Sequence, residues 1–156
     1  MWSSFNIEDY KHCRFMAIQQ LGNRQLGLSL LETVPASAEK KWVPYYHFSI
    51  IHNGKDAGYL NFRLGNAAML TEYDGHIGYR VFPSFRGMGL AGKACEIVRP
   101  LIRQHHMSSV ILTCHPDNIA SRRTIEKLGA EFLEIKHFYG LSHDMDGVKC
   151  RYRWRI

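Results

Sequence analysis

The sequence predicts a single α/β domain, and three observations carry that prediction. A run rich in β-type residues, Gly75-His76-Ile77-Gly78-Tyr79-Arg80-Val81-Phe82, stops at Pro83. A glycine loop, Arg86-Gly87-Met88-Gly89-Leu90-Ala91-Gly92, follows it. Beyond the loop, Leu90, Ala91, Ala94, Val98, Leu101 and Ile102 recur at three- and four-residue intervals, which gives a helix one buried stripe. Strand, turn, glycine loop and helix therefore come in that order.

The remaining elements follow in chain order. Residues 1–25 read as an irregular or helical extension, and Leu26 to Val34 as a strand. The segment from Pro35 to Lys41 is an exposed connection. Tyr45 to Ile51 and Ala57 to Leu64 flank His52-Asn53-Gly54-Lys55-Asp56, whose Asn-Gly pair marks a hairpin. After the long helix come a strand, Ser109 to Cys114, and a short helix from Asn118, with Asp117 or Asn118 as cap and Gly129 as stop. Ala130 to His137 and Lys149 to Ile156 read as closing strands. Pro100 inside the long helix removes one hydrogen bond and is expected to kink or shorten it.

Composition narrows the class. The 156 residues are 46% hydrophobic and 22% charged, the balance of an ordinary globular domain. No apolar run approaches the roughly 18 residues that would span a bilayer, and nothing at the N-terminus reads as a signal peptide. Cys13, Cys95, Cys114 and Cys150 lack metal-ligand spacing, so reduced thiols, a cytoplasmic location and no metal site are expected. The formal charge of +6 raises a nucleic-acid reading. Its densest cluster, Lys149, Arg151, Arg153 and Arg155, alternates as on one face of a strand, which weighs against it.

The glycine loop is the chemical signal. Glycines there let main chain approach an anion closely, and the first N–H groups of the following helix, with its positive dipole end, suit a diphosphate. The loop lacks the Gly-Lys-Ser/Thr ending of a P-loop. Gly87, Gly89 and Gly92 do satisfy a dinucleotide spacing, but the strand that follows runs into His115-Pro116-Asp117-Asn118 instead of an acidic end.

Taken with the downstream segment Asn118-Ile119-Ala120-Ser121, which leads to Glu126-Lys127-Leu128-Gly129, the loop resembles that of the GNAT acyltransferase superfamily. The matching positions are Arg86, Gly89 and Ala91 in the loop and Asn118 and Ser121 in the helix; the resemblance spans about Tyr45 to Phe138. It implies a GNAT acyl-CoA N-acyltransferase fold: a mixed central sheet with flanking helices, whose Gly75 and Ser109 strands are parallel neighbours that splay. It further implies acetyl-CoA as co-substrate and direct attack by an amine. On that resemblance the thioester lies near Tyr79, Arg80 and Val81, with the Val81 N–H donating to the acetyl carbonyl. The pyrophosphate falls to Arg86, Gly87, Met88, Gly89, Leu90, Ala91 and Gly92, and Asn118 and Ser121 face pantetheine.

Two departures stand out. The tyrosine that in many GNAT enzymes protonates the thiolate, seven residues after the helix asparagine, is Ile125 here. Ser121 is the nearest replacement. No two-helix insertion fits between Pro35 and Pro44, so the acceptor side is expected to differ from the family pattern. The base is sought among Glu72, Asp74 and His76, the last because it titrates near neutrality. Cys114, in an apolar strand, is read as packing rather than as a nucleophile. The expected activity is N-acetyl transfer to an amine, with a small molecule favoured over a protein, no nucleic acid or membrane partner, and a homodimer left open. A non-catalytic acyl-CoA-binding module is the competing class, followed by a basic nucleic-acid-binding domain.

Overall fold

The computed structural model describes residues 5–139 and 147–156. After a 3-10 turn at Ile7–Tyr10 come β1 (Gln20–Gly22), β2 (Leu26–Val34), β3 (Tyr45–His52) and β4 (Lys55–Arg63). A π-helical turn, Leu70–Asp74, precedes β5 (Ile77–Val81), and a 3-10 turn, Pro83–Phe85, follows it. Then come α1 (Leu90–Gln104), β6 (Ser109–Cys114), α2 (Ile119–Lys127), β7 (Glu131–Phe138) and β8 (Gly147–Arg155).

Two antiparallel sheets result, β1-β2-β3-β4-β5 and β6-β8-β7. The Asn53-Gly54 hairpin forms as expected, with both residues at positive φ (49° and 78°). The splayed pair takes the form of two neighbouring sheet edges: among the described residues β5 and β6 form no ladder, which is why each sheet is purely antiparallel. They meet through main-chain bonding at one point, where His76 N–H donates to Ile111 O at 2.8 Å.

The core lies between α1 and the inner faces of both sheets. Leu28, Tyr46, Phe48, Leu60 and Phe62 from the first sheet meet Ala94, Val98, Leu101 and Ile102 of α1, while Leu112, Tyr152 and Trp154 extend the cluster into the second. Tyr46 anchors the N-terminal segment to the end of α1: its hydroxyl accepts the Met16 N–H and donates to His105 Nε2, both at 2.7 Å.

Pro100 does not end the helix, which runs fifteen residues through it to Gln104. The residue is exposed, so the helical bond it cannot make is lost on the water side, where solvent takes the carbonyl. A missed element is β1, three residues too short to show alternation, which pairs with the start of β2. Between β2 and β3, residues 35–44 contain only the isolated bridge Ser37–Trp42. No helices therefore cover the outer face of the first sheet from that connection.

One glycine fixes how β4 carries β5. Gly58 has φ 153°, and a Cβ there would sit 2.0 Å from the Arg80 carbonyl oxygen and 3.0 Å from Val81 Cα. Close approach at Gly58 thus sets the position of the Tyr79-to-Val81 segment against its neighbour.

Candidate acyl-transfer site

The register of β5 decides which main-chain groups are available. Arg63 N–H donates to His76 O at 2.7 Å and Phe82 N–H to Ala57 O at 2.9 Å, at either end of a ladder that pairs Asn61 with Gly78 and Tyr59 with Arg80. In an antiparallel pair, bonding and non-bonding positions alternate. Gly78 and Arg80 therefore bond to β4, and Ile77, Tyr79 and Val81 turn their N–H and C=O groups to the open side. The same alternation on β6, set by Ile156 N–H bonding Ser108 O at 2.9 Å, turns Ile111 and Thr113 away from β8 toward β5.

His76 closes one end of the gap between these edges. It is 2% exposed. Its Nε2 donates to Gly65 O at 3.0 Å, and its Nδ1 accepts the Ile111 N–H at 2.9 Å. Together with the His76 N–H bond to Ile111 O, the ring ties the segment just after β4 and the start of β5 to β6, and beyond it β5 and β6 form no main-chain bond among the described residues. Burial lowers the ring's pKa below its ordinary value, and both nitrogens are committed to protein partners, so this imidazole holds a neutral tautomer.

At the open end lies a cavity of about 470 Å³, lined among others by Tyr79, Val81, Arg86, Gly89, Asn118 and Ser121. Met88 and Gly92, expected among the loop contacts, are absent from that lining, whereas Arg80, Gly87, Leu90 and Ala91 belong to it. The loop residues Gly87 and Gly89 have φ of 86° and 69°, and a Cβ at either would meet no atom within 4 Å. The backbone conformation asks for glycine, and the protein leaves the space above it empty. Gly89 caps α1 without a side chain, and the first helical bond is Lys93 N–H to Gly89 O, so the N–H groups of Leu90, Ala91 and Gly92 have no helical acceptor. Arg86 Nε donates to Val81 O at 3.1 Å, which ties the loop to the strand end and occupies the Val81 carbonyl.

Asn118 is the cap of α2: its Oδ1 accepts the Ser121 N–H at 3.1 Å. That bond fixes the first turn, and Ser121 Oγ lies 2.7 Å from the Tyr79 hydroxyl. Burial drives the Tyr79 phenol far above its ordinary range, with Ser121 opposing the shift weakly. Cys114 beside them is 6% exposed and paired across the sheet with Cys150. Burial pushes its thiol up to about 11, which leaves it protonated at neutral pH and agrees with a packing role. Ile125, at the position of the missing tyrosine, is in the core.

The three base candidates differ. Glu72 is bonded to Lys136 Nζ at 2.8 Å. His76 is the junction described above. Asp74 is exposed at the end of the π-helical turn, and its carboxylate takes part in no hydrogen bond or ion pair among the described residues. Partial withdrawal from water raises its pKa, opposed by the charges of Arg63 and Lys149. The Tyr79–Ser121 hydroxyl pair and the double bonding of His76 were not legible beforehand, since each joins residues distant in sequence.

One cation of the basic strand β8 is held in an ion pair among the described residues. Arg151 pairs with Glu134 at 3.2 Å and donates to Thr71 O, and Arg153 faces Glu131 in register. Among the described residues there is no cluster of His, Cys, Asp or Glu suited to a metal, and no helix long and apolar enough to cross a membrane.

Comparison with known proteins supplies the frame for this geometry. Residues 12–131 match the family model described as an acetyltransferase (GNAT) domain. Comparison with curated proteins returns no match. Among solved structures, RimL, a ribosomal L7/L12 alpha-N-protein acetyltransferase in complex with coenzyme A, superposes with TM-score 0.64 at 14% identity, over 86% of this chain and 96% of that one. A GCN5-related N-acetyltransferase from Brucella melitensis gives 0.61 at 16% identity, over 87% and 78%. MccE, the microcin C7 self immunity acetyltransferase in complex with acetyl-CoA and AMP, gives 0.58 at 20% identity, over 72% of this chain and 61% of MccE. At these identities the likeness is one of fold.

The His76 junction yields a prediction for stability. His76→Phe leaves the buried Ile111 N–H without an acceptor and should cost about 1–3 kcal/mol or more in a denaturant titration. Because the folded pKa of His76 lies below the unfolded value of about 6.5, its contribution is fully present above that value and is lost as pH falls from there toward the folded pKa. His105, also lowered, acts in the same direction, so the parent's loss of stability on acidification should shrink in His76→Phe without vanishing. An unchanged pH slope would show that His76 does not carry this coupling.

Proposed function

Since the chain belongs to the GNAT acetyltransferase family, we propose that it moves an acetyl group from acetyl-CoA directly to an amine, with a small-molecule amine favoured over a protein one. Acetyl-CoA supplies the activated acyl group as a thioester. The observation that carries the reading is the cavity, bounded by the main chain of Tyr79 and the N–H of Val81, which no neighbouring strand pairs, on one side and the Tyr79–Ser121 hydroxyl pair on another, with the glycine loop at its end.

The residues fit such a ligand in a definite order. Leu90, Ala91 and Gly92 offer helix-end N–H groups to the pyrophosphate, where Gly87 and Gly89 leave room, and Arg86 adds positive charge. The open edge of β5 pairs with the amide groups of pantetheine. Val81 has its carbonyl occupied by Arg86 and its N–H turned to the gap, so the N–H is available as a donor where negative charge develops on the acyl oxygen. Asn118 holds Ser121 in place.

Direct transfer needs a proton for the departing thiolate and a neutral amine. Ser121 Oγ holds the first proton, backed by the Tyr79 hydroxyl, whose raised pKa keeps it protonated through the neutral range. Asp74 takes the second, through water, because its carboxylate is uncommitted while Glu72 and His76 are engaged. Catalytic roles thus fall to Ser121 and Asp74, with His76 as a positioning residue.

Free-thiol release on mixing acetyl-CoA with an amine panel tests the reading. Ser121→Ala should lower kcat by about ten- to a hundredfold with little change in acetyl-CoA affinity, as expected for a contact needed mainly in the transition state. Lost affinity with unchanged kcat would make Ser121 a pantetheine contact instead. Asp74→Asn should remove an acidic limb of the pH–rate profile that lies above the ordinary aspartate range of about 3.9, since activity is lost as pH falls through the raised Asp74 pKa. The same limb in both proteins would shift the role of base away from Asp74.

A further inference from the structure

The outer face of the first sheet, left uncovered by the short connection at residues 35–44, is polar and aromatic rather than apolar. Its residues alternate with the core set: Tyr45 and His47 on β3, Tyr59, Asn61 and Arg63 on β4, and Arg80 on β5. The Nδ1 of His47 and Oδ1 of Asn61 are 2.5 Å apart, and Trp42 packs edge-on against Tyr45. At the inner corner, beside the gap, the side chain that matters is Arg63.

Arg63 Nη1 donates to the main-chain carbonyls of Asp74 and Gly75, at 3.3 and 3.1 Å. These bonds hold the guanidinium across β5, over Gly78, where a Cβ would lie 2.8 Å from Nη2. Gly78 is thus the one position on this face of β5 with no side chain, and Arg63 fills the vacated place. Among the described residues no carboxylate lies within ion-pair distance of Arg63, and its Nη2 and Nε make no hydrogen bond. A half-buried guanidinium therefore sits beside the strand gap with two donors unused, its charge met by Asp74 only at longer range and by no ion pair. That is the condition in which a guanidinium binds a carboxylate by two parallel bonds.

We propose that Arg63 anchors the acceptor by an anionic group, a carboxylate in the simplest case, so that the substrates of this protein are amines carrying a carboxylate several bonds from the nitrogen. The proposal rests on the acetyl-transfer reading above and adds the chemical class of the acceptor. Spacing follows from the strand: Gly78 precedes Val81 by three residues, about 10 Å at roughly 3.3 Å each. An α-amino acid is too short to reach from one to the other, whereas an ω-amino carboxylate spans most of that length. Arg80, exposed one pair further along, adds a second positive charge on the same face.

Matched acceptors test this. With ε-aminocaproate, ε-aminocaproamide and glycine as probes, thiol release in the parent should show kcat/KM for the carboxylate roughly ten- to a hundredfold above the amide, the range of a hydrogen bond to a charged group. Glycine should be poor. In Arg63→Gln the preference for carboxylate over amide should fall to near unity. Arg63→Lys, which keeps charge but loses the fork, should retain part of it. Gly78→Ala, which displaces the guanidinium, should reduce it without touching Arg63 itself. Equal kcat/KM for carboxylate and amide in the parent, or an undiminished preference in Arg63→Gln, would overturn the proposal. Turnover of the amide alone would overturn it while leaving acetyl transfer standing, and thiol release from none of the probes would overturn both.

Discussion

Everything at the candidate site depends on one junction, the double engagement of His76 and Ile111. The main chain of His76 bonds the Ile111 carbonyl, and its ring accepts the Ile111 N–H, so a single residue takes both polar groups of its neighbour. A ladder would have extended the contact along both strands and closed the gap. The ring confines it to one end. A neutral imidazole serves here where a charged one could not, because only the unprotonated Nδ1 accepts, and burial keeps it unprotonated.

From that point the two edges separate, and the physical problem becomes one of unpaired main chain. Tyr79 and Val81 on one side and Thr113 on the other carry polar groups with no strand partner, an arrangement that a protein retains only where water or a ligand satisfies it. Burial around the cavity works in the same direction for the side chains. It keeps Tyr79 a phenol and Cys114 a thiol, so the groups nearest the strand ends are proton holders rather than nucleophiles. The arrangement therefore favours transfer in one step between bound partners over a covalent enzyme intermediate.

Local rules made most of the fold legible. The Asn53-Gly54 turn, the start of α1 at Leu90 and a cap at Asp117 or Asn118, a role the structure gives to Asn118, each follow from chemistry contained within a few residues. The glycine loop was readable for the same reason. Contacts between distant segments were not. Nothing near His76 announces that its partners are Gly65 and Ile111, and titration near neutrality suggested a base, where the structure uses the ring to hold strands. Pro100 shows the converse: the local rule was sound, but exposure on the water side of α1 removed its consequence. Arg63 drew no notice in the sequence because its significance lies in Gly78 on the adjacent strand, and the π-helical turn at Leu70–Asp74 has no periodic signal to find.

Residue-resolved amide hydrogen exchange, with and without acetyl-CoA, tests the central claim most directly. The account predicts that the Ile111 and His76 amides are protected in the free protein and do not change, whereas the Tyr79 and Val81 amides exchange readily when free and slow markedly once acetyl-CoA is bound. Readily exchanging Ile111 in the free protein, or bound acetyl-CoA that leaves Tyr79 and Val81 unprotected, would contradict it.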